Sequence, residues 1–179
     1  MNITLIGYRG TGKSTVARLV AERLGWQWID ADARVEELAG RPIREIFLAE
    51  GEAGFRDREA AVIRELTARD WLVIAAGGGA ILRPENSQAI RASGMAVWLV
   101  ADPDTIERRL AADPTTAARR PALTTTGGSE EIRQLLSLRE PFYRSSADLI
   151  IETDQCSPAQ IADQIVNAFR DRGQCPTTE

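Results

Sequence analysis

"ITLIGYRGTGKSTVARLVAERL", residues 3–24, decides the fold of this 179-residue chain. Its first four residues form a short, mostly apolar run, which favours a buried strand. A glycine-rich turn follows at 7–12. Apolar residues then recur at helical spacing, at Val16, Leu19, Val20 and Leu24. The stretch therefore predicts a strand, a tight glycine loop and an amphipathic helix in direct succession.

The loop matches the pattern GxxxxGK[ST], with Gly7, Gly12, Lys13 and Ser14 at the defined positions. Backbone N–H groups of such a loop surround phosphate oxygens, and the helix N-terminus adds partial positive charge. In this pattern the lysine reaches the β/γ-phosphates and the hydroxyl binds Mg²⁺. The alternative is a glycine-rich turn without a ligand. The nucleotide-binding residues predicted in the loop are Gly10, Thr11, Gly12, Lys13, Ser14 and Thr15.

The motif indicates a nucleoside triphosphate with magnesium but leaves the fate of the γ-phosphate open. A GTPase would be expected to carry an NKxD-like motif, which the sequence lacks, and the chain is short for a motor ATPase. A kinase for a small acceptor is favoured, because such an enzyme closes over its substrate within one small domain.

The rest of the chain alternates short apolar runs with helical patterns. Predicted strands are 3–6, 26–29, 71–75, 96–100 and 148–152. Continuously apolar strands separated by helices indicate a parallel sheet covered on both faces, in one domain spanning 1–179. Two segments break the rhythm: a charged, helix-rich segment at about 31–68, and a Thr/Pro/Gly-rich segment at about 111–128 that is typical of a mobile lid. Residues 172–179 are expected to form a loose tail.

Composition excludes several functional classes. A net charge of −4 gives no reason to expect nucleic acid, and no apolar run is long enough to span a membrane. Since the chain has no histidine, acid–base chemistry must fall to other side chains. Cys156 and Cys175 form no CxxC motif and are interpreted as reduced thiols of a cytoplasmic protein, which we expect to be a monomer.

A kinase also needs an acceptor pocket beside the γ-phosphate. In "WIDAD", Asp30 and Asp32 follow a predicted strand. Asp30 should face Ser14 and the metal. Asp32 should face the acceptor, and capping of the next helix is a side role of Asp32. In "FRDRE", Arg56 and Glu59 lie at i, i+3, so they can pair or jointly line a cavity, with Phe55 as the core anchor. A surface ion pair is the alternative.

Three consecutive glycines, Gly77, Gly78 and Gly79, follow the strand at 71–75. Glycines at the carboxyl end of a parallel strand permit close backbone approach by a ligand, although a mobile turn is the alternative. Together with the loop at 7–15, these residues predict donor and acceptor sites at one edge of the sheet.

Six segments together resemble the shikimate kinase family, in its order and spacing. They are "GYRGTGKST", "IDADARVEELAGRPIREIF", "GEAGFRDRE", "AAGGGAI", "RRPAL" and "LREPFYR". The resemblance implies an α/β P-loop three-layer sandwich, with a five-stranded parallel sheet of order 2-3-1-4-5, helices on both faces and a mobile lid. It also implies ATP- and Mg²⁺-dependent phosphorylation of the 3-hydroxyl of shikimate, in the pathway to chorismate and the aromatic amino acids.

The resemblance also implies roles at the acceptor site. Asp32 matches the acid that binds shikimate hydroxyls and is the proposed base, whereas Asp30 matches the acid that holds Mg²⁺. Arg56 and Arg139 match the pair that binds the shikimate carboxylate, as planar guanidinium groups can do bidentately. The remaining acceptor-site matches are Gly78 with its neighbours Gly77 and Gly79, and Glu59 as a supporting acid.

On the nucleotide side, Arg120 matches the lid arginine that reaches the transferring phosphate; Arg119 is its neighbour, and the "RP" dipeptide favours Arg120. Arg109 and the region of Pro158 match the walls of the adenine slot. Where some relatives carry a basic residue before that proline, this chain has "DQCSP", so Gln155 or Cys156 would line the adenine edge.

Two other functions are compatible with parts of this pattern. A related P-loop kinase could act on another polyhydroxylated acid such as gluconate, because an arginine pair suits any carboxylate. A catalytically idle nucleotide-binding module could instead signal through lid closure, although intact Lys13, Asp32 and Arg120 disfavour it.

Overall fold

The fold is built around a five-stranded sheet with strand order β2-β3-β1-β4-β5, in which every pairing is parallel. The computed structural model describes residues 1–112 and 128–174. The strands are β1 (Asn2–Ile6), β2 (Gln27–Asp30), β3 (Leu72–Ala75), β4 (Gly94–Val100) and β5 (Leu149–Glu152). The predicted fold class is confirmed, and the predicted strand ends agree with the observed ones to within two residues.

Seven helices lie in the described part of the chain. They are α1 (Lys13–Leu24), α2 (Ala31–Ala39), α3 (Ile43–Thr67), α4 (Pro84–Ser93), α5 (Pro103–Ala112), α6 (Gly128–Ser146) and α7 (Pro158–Gln174), with a short 3-10 helix at Ala80–Leu82. The charged segment 31–68 thus contains α2 and α3. A break divides α3 at Gly51, whose φ of 70° lies in the left-handed region that glycine adopts readily.

Each face of the sheet has its own apolar core. On one face, Ile3 and Leu5 of β1 pack with Val16 and Val20 of α1 and with Ile161 of α7. On the other face, helices α2, α3, α4 and α6 cover the sheet, and Phe55 is fully buried there, as predicted for the anchor of its helix. Because side chains alternate along a strand, β1 contributes to both cores, and all five of its residues are buried, including the polar Asn2 and Thr4.

This arrangement places the chemistry at one edge of the sheet. The residues that follow β1, β2, β3 and β5 all emerge at the carboxyl ends of parallel strands, where ligands bind in open α/β sheets. Within the described ranges, no helix combines the length and apolar character needed to cross a membrane. Most of the predicted lid (113–127) and the end of the predicted tail (175–179), with Cys175, lie outside the described residues.

Candidate active site

The loop after β1 is shaped for phosphate by its glycines. Gly7 has a φ of 137°, and a Cβ added there would lie 2.5 Å from the carbonyl oxygen of Leu99 in β4, so only glycine fits. Gly12 caps α1 with a φ of 91°. The N–H groups at the start of α1 therefore point toward the loop interior, where the helix dipole adds positive charge.

Lys13 holds this loop from within. Its Nζ donates to the carbonyl oxygen of Gly7 at 2.9 Å and to that of Tyr8 at 2.7 Å. The hydroxyl of Thr11 donates to the same Tyr8 carbonyl at 2.8 Å. The ammonium group thus sits at the rim of the loop, where a short rotation of its flexible stem would bring it onto a β- or γ-phosphate oxygen.

Ser14 and Asp30 meet in front of α1, as the sequence predicted. The Ser14 hydroxyl donates to Oδ2 of Asp30 at 2.5 Å. Mg²⁺ takes oxygen ligands in octahedral geometry, usually one or two protein oxygens together with phosphate oxygens and waters. A hydroxyl and a carboxylate oxygen beside a phosphate loop fit that donor set. Within the described residues no group of three or more acidic, Cys or His side chains forms a closed metal cage.

The capping role falls to Asp30 and not to Asp32, which corrects the prediction. Oδ1 of Asp30 accepts the backbone N–H groups of Asp32 at 3.0 Å and Ala33 at 3.2 Å. Asp30 has extended backbone geometry and lies just before the first helical turn, whereas Asp32 is inside that turn. The half-buried Asp32 is therefore not the N-cap residue, and it lies two residues beyond Asp30 in the first turn of α2.

Arg56 and Glu59 form a buried ion pair on α3. Nη1 of Arg56 donates to Oε2 of Glu59 at 2.8 Å, and Glu59 is only 1% exposed. Nη2 of Arg56 also pairs with the exposed Glu52 at 3.1 Å. Burial alone would lower the pKa of the Arg56 guanidinium, but the charges and hydrogen bonds of Glu59 and Glu52 raise it above its ordinary value. Arg56 is thus a fixed cation, and the surface-pair alternative is wrong.

The glycine run after β3 lies between the two predicted arginines. Arg139 of α6 donates from Nη1 to the carbonyl oxygen of Gly78 at 3.2 Å. A Cβ on Gly79 would lie 2.5 Å from Nη1 and Nη2 of Arg56. Gly78 also approaches the phosphate loop, since its Cβ would lie 3.3 Å from the backbone nitrogen of Arg9. The turn at 77–79 therefore joins both arginines to the loop.

Two tyrosines that sequence reasoning missed support this region. The hydroxyl of Tyr143, four residues after Arg139, donates to the Gly78 carbonyl at 2.5 Å, and its ring stacks on Trp98 with centroids 5.5 Å apart. Burial raises the pKa of Tyr143 to about 12, partly offset by the charge and hydrogen bond of Arg139. The ring of Tyr8 lies 5.7 Å from the Arg139 guanidinium carbon. The only sequence signal was the position of Tyr8 inside the loop motif and of Tyr143 inside "LREPFYR".

Part of the predicted adenine site lies within the described residues. Arg109 of α5 donates to the side chain of Thr153 at 2.9 Å and to its carbonyl at 3.1 Å, and lies 3.5 Å from the Gly10 carbonyl. It thereby connects the phosphate loop to the segment after β5. Cys156 is a half-buried free thiol packed against the core next to α7. Its contact with adenine stays a prediction, and Arg119 and Arg120 lie outside the described residues.

Comparison of the sequence with known proteins gives a family match over most of the chain. The family described as "Shikimate kinase" matches residues 9–170. The chain is 47% identical over 167 residues to the shikimate kinase of Rhodopirellula baltica, covering 93% of this chain and 89% of that protein. It is 44% identical to the shikimate kinase of Symbiobacterium thermophilum, covering 97% and 99% of the two chains.

Solved structures give the same similarity in three dimensions. The shikimate kinase of Acinetobacter baumannii in complex with shikimate superimposes with a TM-score of 0.90 at 37% identity, covering 97% of this chain and 95% of that one. The shikimate kinase of Aquifex aeolicus superimposes with a TM-score of 0.76 at 27% identity, covering 97% and 98%.

Proposed function

The chain belongs to the shikimate kinase family, and from that premise we propose that it transfers the γ-phosphoryl group of ATP to the 3-hydroxyl of shikimate. The products are shikimate 3-phosphate and ADP, and the reaction serves aromatic amino acid biosynthesis through chorismate. The observation that carries the proposal is the contact between Gly78 and the phosphate loop. This contact supports the proposal because Arg139, which donates to the Gly78 carbonyl, and Arg56, which packs against Gly79, then lie near the phosphate loop.

The acceptor is held by its carboxylate. Arg56 is fixed in place by Glu59, and Arg139 lies against the turn at 77–79 from the opposite helix. Planar guanidinium groups can bind one carboxylate through paired hydrogen bonds, which sets both its position and its orientation. The acceptor hydroxyl can then be presented to the γ-phosphate, and such positioning supplies much of the rate enhancement in phosphoryl transfer.

Asp32 acts on the attacking hydroxyl in this proposal. Its carboxylate accepts a hydrogen bond from the 3-hydroxyl and takes the proton as the oxygen–phosphorus bond forms and the bond to ADP breaks. Lys13 leaves the Gly7 and Tyr8 carbonyls and binds the transferring phosphoryl group. Arg120 of the predicted lid is assigned to the same charge. Closure over the site would exclude water and suppress ATP hydrolysis.

The metal is proposed to be Mg²⁺, held by Ser14 and by Asp30, directly or through water. When bound, it neutralises charge that develops on the β- and γ-phosphate oxygens. The nucleotide side is assigned to the loop residues 10–15 and to Arg109, with Cys156 at the adenine edge. A monomeric state and a cytoplasmic location remain predictions from the sequence.

An acceptor panel tests the function. The purified chain is incubated with ATP and Mg²⁺, and ADP formation is measured with shikimate, with gluconate and without acceptor. We expect ADP formation only with shikimate, accompanied by a phosphorylated product. ADP formation with gluconate alone would assign the chain to another acid, and ADP formation without any acceptor would make it an ATPase.

Asp32→Asn tests the catalytic assignment. We expect kcat to fall by about 10²–10⁴-fold, the typical contribution of a general base, while the Kd for ATP changes less than about twofold. Glu37→Gln, an exposed acid on the same helix, is the matched control and should leave kcat unchanged. If Asp32→Asn retained most of the turnover, positioning by the arginines and not proton transfer would dominate.

A further inference from the structure

The side chain of Arg9, the third residue of the phosphate loop, has no role in the site described so far. Its guanidinium carbon lies 5.8 Å from the centre of the Tyr8 ring, and the guanidinium carbon of Arg139 lies 5.7 Å from the same ring. The backbone nitrogen of Arg9 faces Gly78, where a Cβ would lie 3.3 Å from it. Arg9 therefore borders the acceptor site and shares an aromatic neighbour with one of its two arginines.

The side chain of Arg9 has an unused buried donor. Its Nε is shielded from solvent and has no hydrogen-bond partner within residues 1–112 and 128–174. A buried donor without an acceptor is unfavourable, and more so when it belongs to a charged group. An unsatisfied buried group in a native protein needs an explanation, and a role in a site where another molecule supplies the partner is one of them.

The charges around the acceptor site are unevenly compensated. Arg56 is paired with two carboxylates, Glu59 and Glu52. In the described part of the chain, neither Arg139 nor Arg9 takes part in any ion pair. Arg56 thus brings little net charge to an incoming anion, and the uncompensated positive charge belongs to Arg139 and Arg9.

We propose that Arg9 is a third substrate-binding arginine, which contacts the carboxylate of the acceptor from the phosphate-loop side. The proposal rests on the proposed function, since it presumes an acceptor that carries a carboxylate. Arg9 and Arg139 supply the attraction for this anion, while Arg56 supplies a fixed planar surface beside Gly79. The ring of Tyr8 supports this arrangement, because it can hold the guanidinium groups of Arg9 and Arg139 by cation–π contact.

Arg9→Met tests the proposal, because methionine keeps the length of the aliphatic stem and removes the charge and every donor. Binding is measured by calorimetry with shikimate and with its neutral carboxamide, and steady-state kinetics give the KM values. We expect the Kd and KM for shikimate to rise about ten- to hundredfold, as for a lost hydrogen bond to a charged group. The Kd of the carboxamide and the KM for ATP should change less than about twofold, since neither depends on the lost charge pair.

Two further variants serve as controls. Arg170→Met removes an exposed arginine of α7 and should leave every constant unchanged. Arg9→Lys keeps the charge but not the donor at the Nε position, so its KM for shikimate should lie between those of the wild type and Arg9→Met. Thermal unfolding of each variant establishes that the fold is intact, and weaker carboxylate binding would still be measurable in a less stable but folded Arg9→Met.

Several outcomes would overturn the proposal. Equal losses for shikimate and its carboxamide would make Arg9 a packing residue. A raised KM for ATP with an unchanged Kd for shikimate would place Arg9 on the phosphates. Unchanged Kd and KM values for shikimate in Arg9→Met would show that Arg9 has no role in binding. Wild-type protein that neither binds nor phosphorylates shikimate would instead refute the proposed function, so the two failures are distinguishable.

Discussion

Gly79 and the guanidinium group of Arg56 are packed too closely for a methyl group to fit between them. A Cβ on Gly79 would lie 2.5 Å from both Nη1 and Nη2 of Arg56. The φ of Gly79 is −118°, so alanine is tolerated by the backbone and Gly79→Ala acts only through this contact. We expect the displaced guanidinium to raise the KM for shikimate about tenfold, with kcat changed less. In the double variant Gly79→Ala/Arg56→Lys, the lysine head group is smaller than the guanidinium group. The effects of the two substitutions on the KM for shikimate should therefore not add, and strict additivity would contradict the contact.

The two acids that pair with Arg56 should differ in their effect on stability. Glu59 is 1% exposed, whereas the side chain of Glu52 is 65% exposed. Glu59→Ala leaves a largely buried guanidinium without its main partner and should lower the free energy of unfolding by about 3–5 kcal/mol. Glu52→Ala, the matched control, should cost about 0–1 kcal/mol because solvent screens the pair. Urea unfolding at neutral pH measures both values, and equal losses would show that burial of Glu59 is unimportant.

Much of the fold could be predicted because the strands of a parallel sheet read as short, mostly apolar runs, both in the buried strands β1, β3 and β4 and in the partly exposed edge strands β2 and β5. That pattern located all five strands within one or two residues. It could not give their order, since strand neighbours depend on the crossover path and not on local composition; the order 2-3-1-4-5 came from the family resemblance. The break at Gly51 was also missed, because a single glycine in a helical pattern does not show whether the helix continues.

The residues of the acceptor site could be predicted only in part, because the local sequence pattern does not distinguish all of them from core residues. Asp30 follows a mostly apolar run, so its place beside Ser14 could be proposed from the sequence pattern, whereas the carboxylate-binding role of Arg56 came from the family resemblance. Tyr8 and Tyr143 are both at least 99% buried, and a buried tyrosine in a sequence looks like any core aromatic. The choice between Asp30 and Asp32 as the cap depended on a helix boundary that differs by two residues, which is below the precision of pattern reading.

Asp30 has two functions that substitution can separate. Its Oδ1 caps α2, and its Oδ2 accepts from Ser14 beside the proposed metal. Asparagine also caps helices, so Asp30→Asn should keep the stability while raising the Mg²⁺ concentration needed for half-maximal activity. Asp30→Ala should show the same metal defect and also lose about 1 kcal/mol of stability. Activity against Mg²⁺ concentration and urea unfolding check the pair; equal stability of both variants would refute the capping role.

Arg139 and Arg144 lie on the same helix and allow a matched comparison. Arg139 borders the Gly78 carbonyl, whereas Arg144 pairs with Glu140 in an exposed ion pair. Arg139→Met should raise the KM for shikimate about ten- to hundredfold and leave the KM for ATP nearly unchanged, because it removes carboxylate binding. Arg144→Met should alter neither constant. If both variants had the same KM for shikimate, the assignment of Arg139 to the carboxylate would be wrong.

The buried phenol of Tyr143 should make the stability of the protein fall at alkaline pH. Its pKa is raised from 10.0 to about 12, chiefly by burial. Below pH 10 the phenol is neutral in both the folded and the unfolded chain, so its contribution to stability is fully present. Between pH 10 and 12 the unfolded chain releases the proton first, which should remove about 2–3 kcal/mol of stability from the wild type.

Tyr143→Phe isolates this effect because the ring and its stacking on Trp98 are kept. At pH 9 the variant should be less stable by about 1 kcal/mol, since it loses the hydrogen bond to the Gly78 carbonyl. Near pH 12 the order should reverse, because phenylalanine has no proton to release. Urea unfolding of both proteins across this range measures the crossing. Two curves that stay parallel would mean that the buried hydroxyl titrates as it does in the unfolded chain.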